Sequence, residues 1–167
     1  MIRDATPSDD EAIRNVQRAA FATHPFSVHT EHLIVDQLRV RGRLSLSLVC
    51  CDEVGSVVGH LAFSPVRVGG AGCNWFGLGP LAVLPEHQAK GCGSALTRQG
   101  LERLRAMGAR GCVVLGDPRY YARFGFAPCP SLQFPGVPPG HFMALALGRE
   151  PPPTGIVSYD DAFSVRA

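Results

Sequence analysis

Six cysteines stand at positions 50, 51, 73, 92, 112 and 129, yet no C-x-x-C pair and no cysteine–histidine cluster at zinc-ligand spacing occurs. A zinc-built fold is therefore not expected, and no metal site is indicated. Most of these cysteines lie inside apolar strand patterns, where a free thiol behaves as a small hydrophobe, which points to a reduced, cytoplasmic protein. There is no run of about 18 apolar residues, so no transmembrane helix is expected. The first residues carry Asp4, Asp9, Asp10 and Glu11 and no apolar stretch of the kind a secretory signal needs. Charge of one sign is also lacking. The sum of 16 basic and 14 acidic residues is +2, too balanced to argue for nucleic acid or an anionic membrane. No internal repeat is visible, and 167 residues suit one domain with a proper core.

What the sequence does have is a stretch that organises the rest. An apolar run from Leu78 to Leu84 reads as a buried strand closed by Pro85. A helical pattern starts near Gly93, with Leu96, Gly100, Leu101, Leu104 and Met107 on one face. Between them lie Gly91 and Gly93, Lys90 and no large side chain. Glycines there admit backbone angles closed to other residues and let a ligand approach the main chain. A helix N-terminus with free N–H groups attracts phosphate oxygens, and Lys90 adds a positive charge. Two common phosphate loops do not fit. In a P-loop the lysine follows the glycines, whereas Lys90 precedes them, and a dinucleotide fingerprint needs a third glycine where Leu96 stands.

The remaining chain supplies alternating strands and helices. Ile2 to Ala5 reads as a short strand. Thr6-Pro7-Ser8-Asp9 is a helix start, and Ile13, Val16 and Ala20 carry that helix over residues 7–21, with His24-Pro25-Phe26 breaking it. Thr30 caps a second helix to about Arg41, ended by Gly42. Residues 44–51 alternate with period two, and Asp52 to Gly55 turns into a strand over 57–68. Gly69 to Gly72 leads into a strand over 73–84, in which Gly77, Gly79 and Pro80 mark a bulge or bend. The central helix runs to about Met107, followed by a strand at 112–115 and a one- or two-turn helix carrying Tyr120 and Tyr121. Residues 127–140 form an irregular loop, with last strands at 142–147 and 155–159. The apolar strand at 155–159 could serve as an exchanged or paired edge in a homodimer. The fold class is α/β: a mixed, mostly antiparallel sheet with helices on both faces.

Leu81-Ala82-Val83, then Pro85, then Gln88-x-x-Gly91-x-Gly93 resembles the acetyl-CoA-binding signature of the GCN5-related N-acetyltransferases. Tyr120-Tyr121-Ala122-Arg123-Phe124-Gly125-Phe126 resembles that family's Tyr-x-x-x-Gly-Phe element, one helix and one strand downstream. With Gly59-His60, Leu78-Gly79-Pro80-Leu81 and Leu115-Gly116-Asp117-Pro118, the pattern looks like a bacterial branch described as predicted N-acetyltransferases. The resemblance covers roughly residues 2–126 and is specific in 78–126. It implies the acyl-CoA N-acyltransferase fold, with a bulge that splays the central strands.

The resemblance also implies roles. The backbone of Leu81, Ala82 and Val83 would pair with the pantetheine arm of acetyl-CoA, and one of their N–H groups would polarise the thioester. Ala89, Lys90, Gly91, Cys92, Gly93 and Ser94 would cradle the pyrophosphate through main-chain amides, and Gln88 joins them as a coenzyme-binding residue. Cys92 then fills the loop and is not a nucleophile. Tyr121, four residues before Gly125, would protonate the departing thiolate, because a phenol is neutral at pH 7 and can donate. The general base is open. No acid stands between Asn74 and Leu84, where many family members place a glutamate. His60 is the first alternative, Glu31 and His32 are others, and water could relay the proton. The family's asparagine and alanine ahead of the tyrosine are replaced by Gly116-Asp117-Pro118. The acceptor would be an amine of a small molecule or peptide. A non-catalytic acyl-CoA-binding module of the same fold is the alternative reading.

Overall fold

Asp9 shapes the start of the chain. Its carboxylate accepts the Thr6 N–H at 2.8 Å and both ends of the Arg3 guanidinium at 2.7 and 2.9 Å. That pairing with Arg3 holds the Asp9 carboxyl well below the usual carboxylate range. It joins strand β1 (Ile2–Asp4) to a 3-10 turn at Pro7–Asp9, which runs into helix α1 (Asp10–Phe21). The expected helix over 7–21 is thus tighter in its first three residues, where Pro7 sits at the start. The computed structural model describes residues 1–165 except 26 and 28, so the chain break expected at His24-Pro25-Phe26 lies partly outside the described residues.

Helix α2 (Glu31–Val40) packs antiparallel on α1, and Gly42 ends it with φ +69°. Strands β2 (Leu46–Cys51), β3 (Val57–Val68) and β4 (Ala71–Val83) form an antiparallel meander. In the first turn, Asp52 Oδ1 accepts the N–H groups of Val54 and Ser56. The second turn takes only Gly69 and Gly70, both left-handed, so β4 starts at Ala71 and not at Cys73. Helix α3 (Cys92–Ala106) follows, then β5 (Gly111–Leu115), helix α4 (Pro118–Tyr121) with a 3-10 turn to Phe124, β6 (Leu132–Gln133), β7 (Phe142–Ala146) and β8 (Gly155–Ser158).

The sheet runs β1-β2-β3-β4-β5-β7, with β4 and β5 parallel and the other neighbours in that row antiparallel. The last strand is not a free edge. It pairs with β3 at Arg67 and Val68 on one side and with β6 on the other, so the expected exchangeable edge is occupied within the chain.

Helices cover both faces. On one, α3 lays Leu96, Leu101 and Leu104 on Leu48, Leu61, Phe63 and Val114. It approaches closely because two glycines make room. A Cβ on Gly100 would sit 2.5 Å from the Phe63 ring, and one on Gly59 would sit 2.5 Å from Cys92 Sγ. On the other face α1 and α2 bury Ile13 and Val35 against Val49 and Cys51. The lower half of this face is closed by the C-terminal segment, with Val157 and Leu132 against Trp75 and Val113. The architecture is the mixed, mostly antiparallel α/β sheet expected from the sequence.

Candidate active site

The sheet opens at its centre. Strands β4 and β5 pair only from Trp75 to Gly77 against Gly111 to Val113. Beyond that point β5 stays with β7 as far as Leu115, and β4 stays with β3 as far as Val83. The edge of β4 from Leu78 to Val83 that faces β5 is therefore unpaired. The cause is local. Leu61 pairs with Leu81 and Phe63 with Leu78, so Gly79 and Pro80 stand together opposite Ala62 as a bulge. Gly79 takes φ +135°, which glycine alone adopts freely.

Strand alternation decides which groups face the opening. Leu84 donates its N–H to the Val58 carbonyl, so the backbone groups of Ala82 also point at β3, where its register partner is His60. Those of Leu81 and Val83 point into the gap. Main-chain pairing with a ligand is thus open to Leu81 and Val83, whereas Ala82 spends its backbone on β3. The Val83 carbonyl is already held by Gln88, whose side-chain amide donates to it at 3.0 Å. Gln88 acts here through its side chain and fixes the loop to the strand end.

The loop then turns into α3 through two left-handed residues, Ala89 at φ +60° and Gly91 at φ +89°. Ala95 donates the first helical bond, to the Gly91 carbonyl. The N–H groups of Ala89 to Ser94 precede it and have no acceptor among the described residues. They form a row of free donors at a helix start, with exposed Lys90 beside them. Cys92 turns inward. Its thiol packs at Gly59 beside Cys50, and burial pushes it up to about 12, away from thiolate chemistry.

The aromatic segment closes the same end. Asp117 caps α4 by accepting the Arg119 N–H at 2.9 Å. The Tyr121 ring lies flush on Gly116, where a Cβ would come within 2.5 Å of it, and meets Tyr120 and Phe126 edge-on at 5.0 and 5.9 Å. Burial raises the Tyr121 phenol above its ordinary value, which keeps the hydroxyl protonated. Tyr120 points its hydroxyl at the loop, 3.0 Å from where a Gly93 Cβ would be. Arg123 stacks on the Tyr120 ring at 4.7 Å and Arg98 on Phe124 at 5.1 Å. Neither cation was singled out from the sequence. A spacing of i, i+3 from Tyr120 to Arg123 was the available signal.

His60 has a different setting. It is fully buried, with Nδ1 2.9 Å from the Gln17 amide nitrogen and Nε2 2.8 Å from Ser47 Oγ. Gln17 also reaches the Pro80 carbonyl at 3.4 Å. Burial pushes the imidazole down to about 3, so it is neutral. Both ring nitrogens are engaged, which does not fit a group free to take a substrate proton. Glu31 and His32 stand elsewhere, in a cavity of about 300 Å³ at the end of α1. Among the described residues no group of three histidine, cysteine or acidic side chains could hold a metal ion, and no helix is long and apolar enough to cross a membrane.

A splayed parallel pair, a main-chain edge and a glycine turn into a helix are the features that the resemblance implies for the acyl-CoA N-acyltransferase fold. Residues 1–129 match the family described as "Acetyltransferase (GNAT) domain", and the chain belongs to that family. The uncharacterized N-acetyltransferase YhbS of Escherichia coli strain K12 is 39% identical over 126 residues, 75% of this chain and 72% of YhbS. Among solved structures, a GNAT family acetyltransferase from Brucella melitensis in complex with acetyl-CoA is 47% identical, with a TM-score of 0.86 over 98% of this chain and 97% of that one. Escherichia coli YhbS in complex with CoA gives a TM-score of 0.89 at 34% identity, over 100% of this chain and 93% of that one.

Proposed function

We propose that this protein is an N-acetyltransferase that moves an acetyl group from acetyl-CoA to the amine of a small molecule or peptide. One observation carries the reading: the unpaired edge of β4 leads directly into a row of free amides at the start of α3. Leu81 and Val83 would hold the pantetheine arm as an added strand, and Ala89 to Ser94 would hold the pyrophosphate. Acetyl-CoA supplies an activated thioester carbonyl. A gap-facing N–H of β4 stabilises the negative charge that develops on that oxygen when the amine attacks. The Tyr121 hydroxyl, kept protonated by its surroundings, holds the proton for the departing thiolate. The carboxylate that the strand lacks is replaced by a group at the end of α1. His32 fits, because burial and the neighbouring Arg18 lower its pKa and leave it able to accept a proton. His60 is a strut between α1 and the sheet. The related structures with acetyl-CoA and CoA support the coenzyme assignment.

Calorimetric titration of acetyl-CoA into the protein tests this, beside a Gly91→Glu variant. Wild type binds, and the variant loses affinity by at least about 100-fold, or about 2.7 kcal/mol, because an acid there repels the pyrophosphate. Absence of binding to the wild type would sink the proposal.

A further inference from the structure

Helices α1 and α2 are stitched by a ladder of charges. Asp10 pairs with Arg39 at 3.3 Å, and one turn on Arg14 pairs with Asp36 at 2.7 Å. The next rung joins Arg18 to His32, and here the alternation fails. Arg18 has no carboxylate partner among the described residues, and its charge acts on a neighbouring imidazole. An unpaired guanidinium at the end of an otherwise matched ladder leaves a binding position for an anion.

That rung lines the cavity at the end of α1, with Phe21, Ala22, His29 and Glu31. Its volume, about 300 Å³, is at the small end for a ligand site. Glu31 is fixed in it by the Ser27 hydroxyl, at 2.7 and 2.9 Å from its two oxygens. The cavity therefore holds one unpaired cation, one anchored carboxylate and an apolar floor.

Its position follows from the course of α1 across the sheet. Ile13 packs on Val49 and Cys51 of β2, while Gln17 reaches His60 of β3 and Pro80 of β4. Four residues advance a helix by about 6 Å, slightly more than the spacing of about 4.8 Å between strands. Phe21, one turn beyond Gln17, continues in the same direction and lines the cavity. The cavity begins one turn beyond Gln17, the residue that reaches β4, the strand assigned to the thioester.

We propose that this cavity takes an acceptor that bears a carboxylate as well as its amine, a free amino acid, with the carboxylate on Arg18 and the ammonium turned toward Glu31. The proposal rests on the acetyltransferase reading above and names its acceptor class. An amino acid completes the third rung of the ladder with the missing negative charge. It also brings the positive charge that Glu31 is placed to receive. Putrescine and other diamines lack the group Arg18 requires.

The test compares each proteinogenic amino acid with its carboxamide, beside methylamine and putrescine, by release of free thiol from acetyl-CoA. For the preferred side chain, kcat/KM of the acid exceeds that of the carboxamide by at least tenfold. Arg18→Met reduces that ratio to twofold or less and leaves KM for acetyl-CoA within twofold, and Arg18→Lys keeps part of the discrimination. Equal use of acid and carboxamide, preference for putrescine, or a loss in Arg18→Met that falls equally on both acceptors overturns the proposal. So does turnover of neither by a protein that binds acetyl-CoA in the calorimeter. Failure to bind acetyl-CoA would instead overturn the acetyltransferase reading itself.

Discussion

The regions proposed for coenzyme and for acceptor are built from different materials. On the α3 side the proposed recognition groups are backbone: the edge of β4, then free amides from Ala89 to Ser94, with glycines supplying the angles and the clearance. On the α1 side they are side chains: Arg18, Glu31 and His32, set on two helices by a charge ladder. A backbone site tolerates changes of side chain but demands particular glycines and a fixed spacing. A side-chain site tolerates any helix of the right pitch but demands particular residues at its end. The first kind suits a coenzyme shared by many enzymes, and the second suits an acceptor that differs between them.

The largest expected effect separates chemistry from both kinds of binding. Tyr121→Phe keeps the ring on Gly116 and removes only the proton donor. If that hydroxyl serves as proposed, kcat should fall by about 100-fold and KM for acetyl-CoA stay within twofold, measured by thiol release. A fall in coenzyme affinity of the same size would place Tyr121 on the binding side of the comparison.

The next concerns the strut under the acceptor side. The folded pKa of His60 is pushed down to about 3, below the ordinary value. As pH falls the unfolded chain takes the proton first, so stability is full above the ordinary histidine pKa and is lost on the way down to the folded one. Between pH 7.5 and 5 the loss from this group is about 2 kcal/mol. Urea midpoints at the two pH values should differ accordingly, and His60→Asn should remove most of that difference. An unchanged difference in the variant would show that His60 is not the group responsible.

A smaller effect tests the charge beside the glycine loop. Lys90→Glu should raise KM for acetyl-CoA by about tenfold at low salt and less at high salt, because an exposed charge is screened. An increase that ignores salt would mean the loop had changed shape. The smallest belongs to the ladder. Arg14→Ala should cost only about 0.5 kcal/mol of stability, since Arg14 and Asp36 are both partly exposed. Acceptor preference should not move, because the proposal places the acceptor on the third rung and not the second.

Legibility from sequence followed the same division. The strand, loop and helix from Leu78 to Leu104 could be read because glycine spacing and apolar period are direct consequences of backbone geometry. The bulge could be read from Gly79 and Pro80 for the same reason. The surroundings of His60 could not be read because a period-two strand shows which residues share a face but not what covers it. Gln17, on a helix 43 positions away, takes one of its nitrogens, and no local pattern announces that. Ala82 was grouped with its neighbours because its backbone direction depends on pairing with β3. The ladder is visible in sequence only after α1 and α2 are known to run antiparallel, when 10 with 39 and 14 with 36 foretell 18 with 32.

The unpaired edge of β4 also bears on how the protein behaves before it meets its coenzyme. An interior strand with one side unsatisfied exchanges its amide hydrogens through local opening, and Leu81 and Val83 should exchange faster than Ala82. A ligand that pairs with that edge completes the sheet and stabilises only the folded chain, by about 2.7 kcal/mol at a hundred times its Kd.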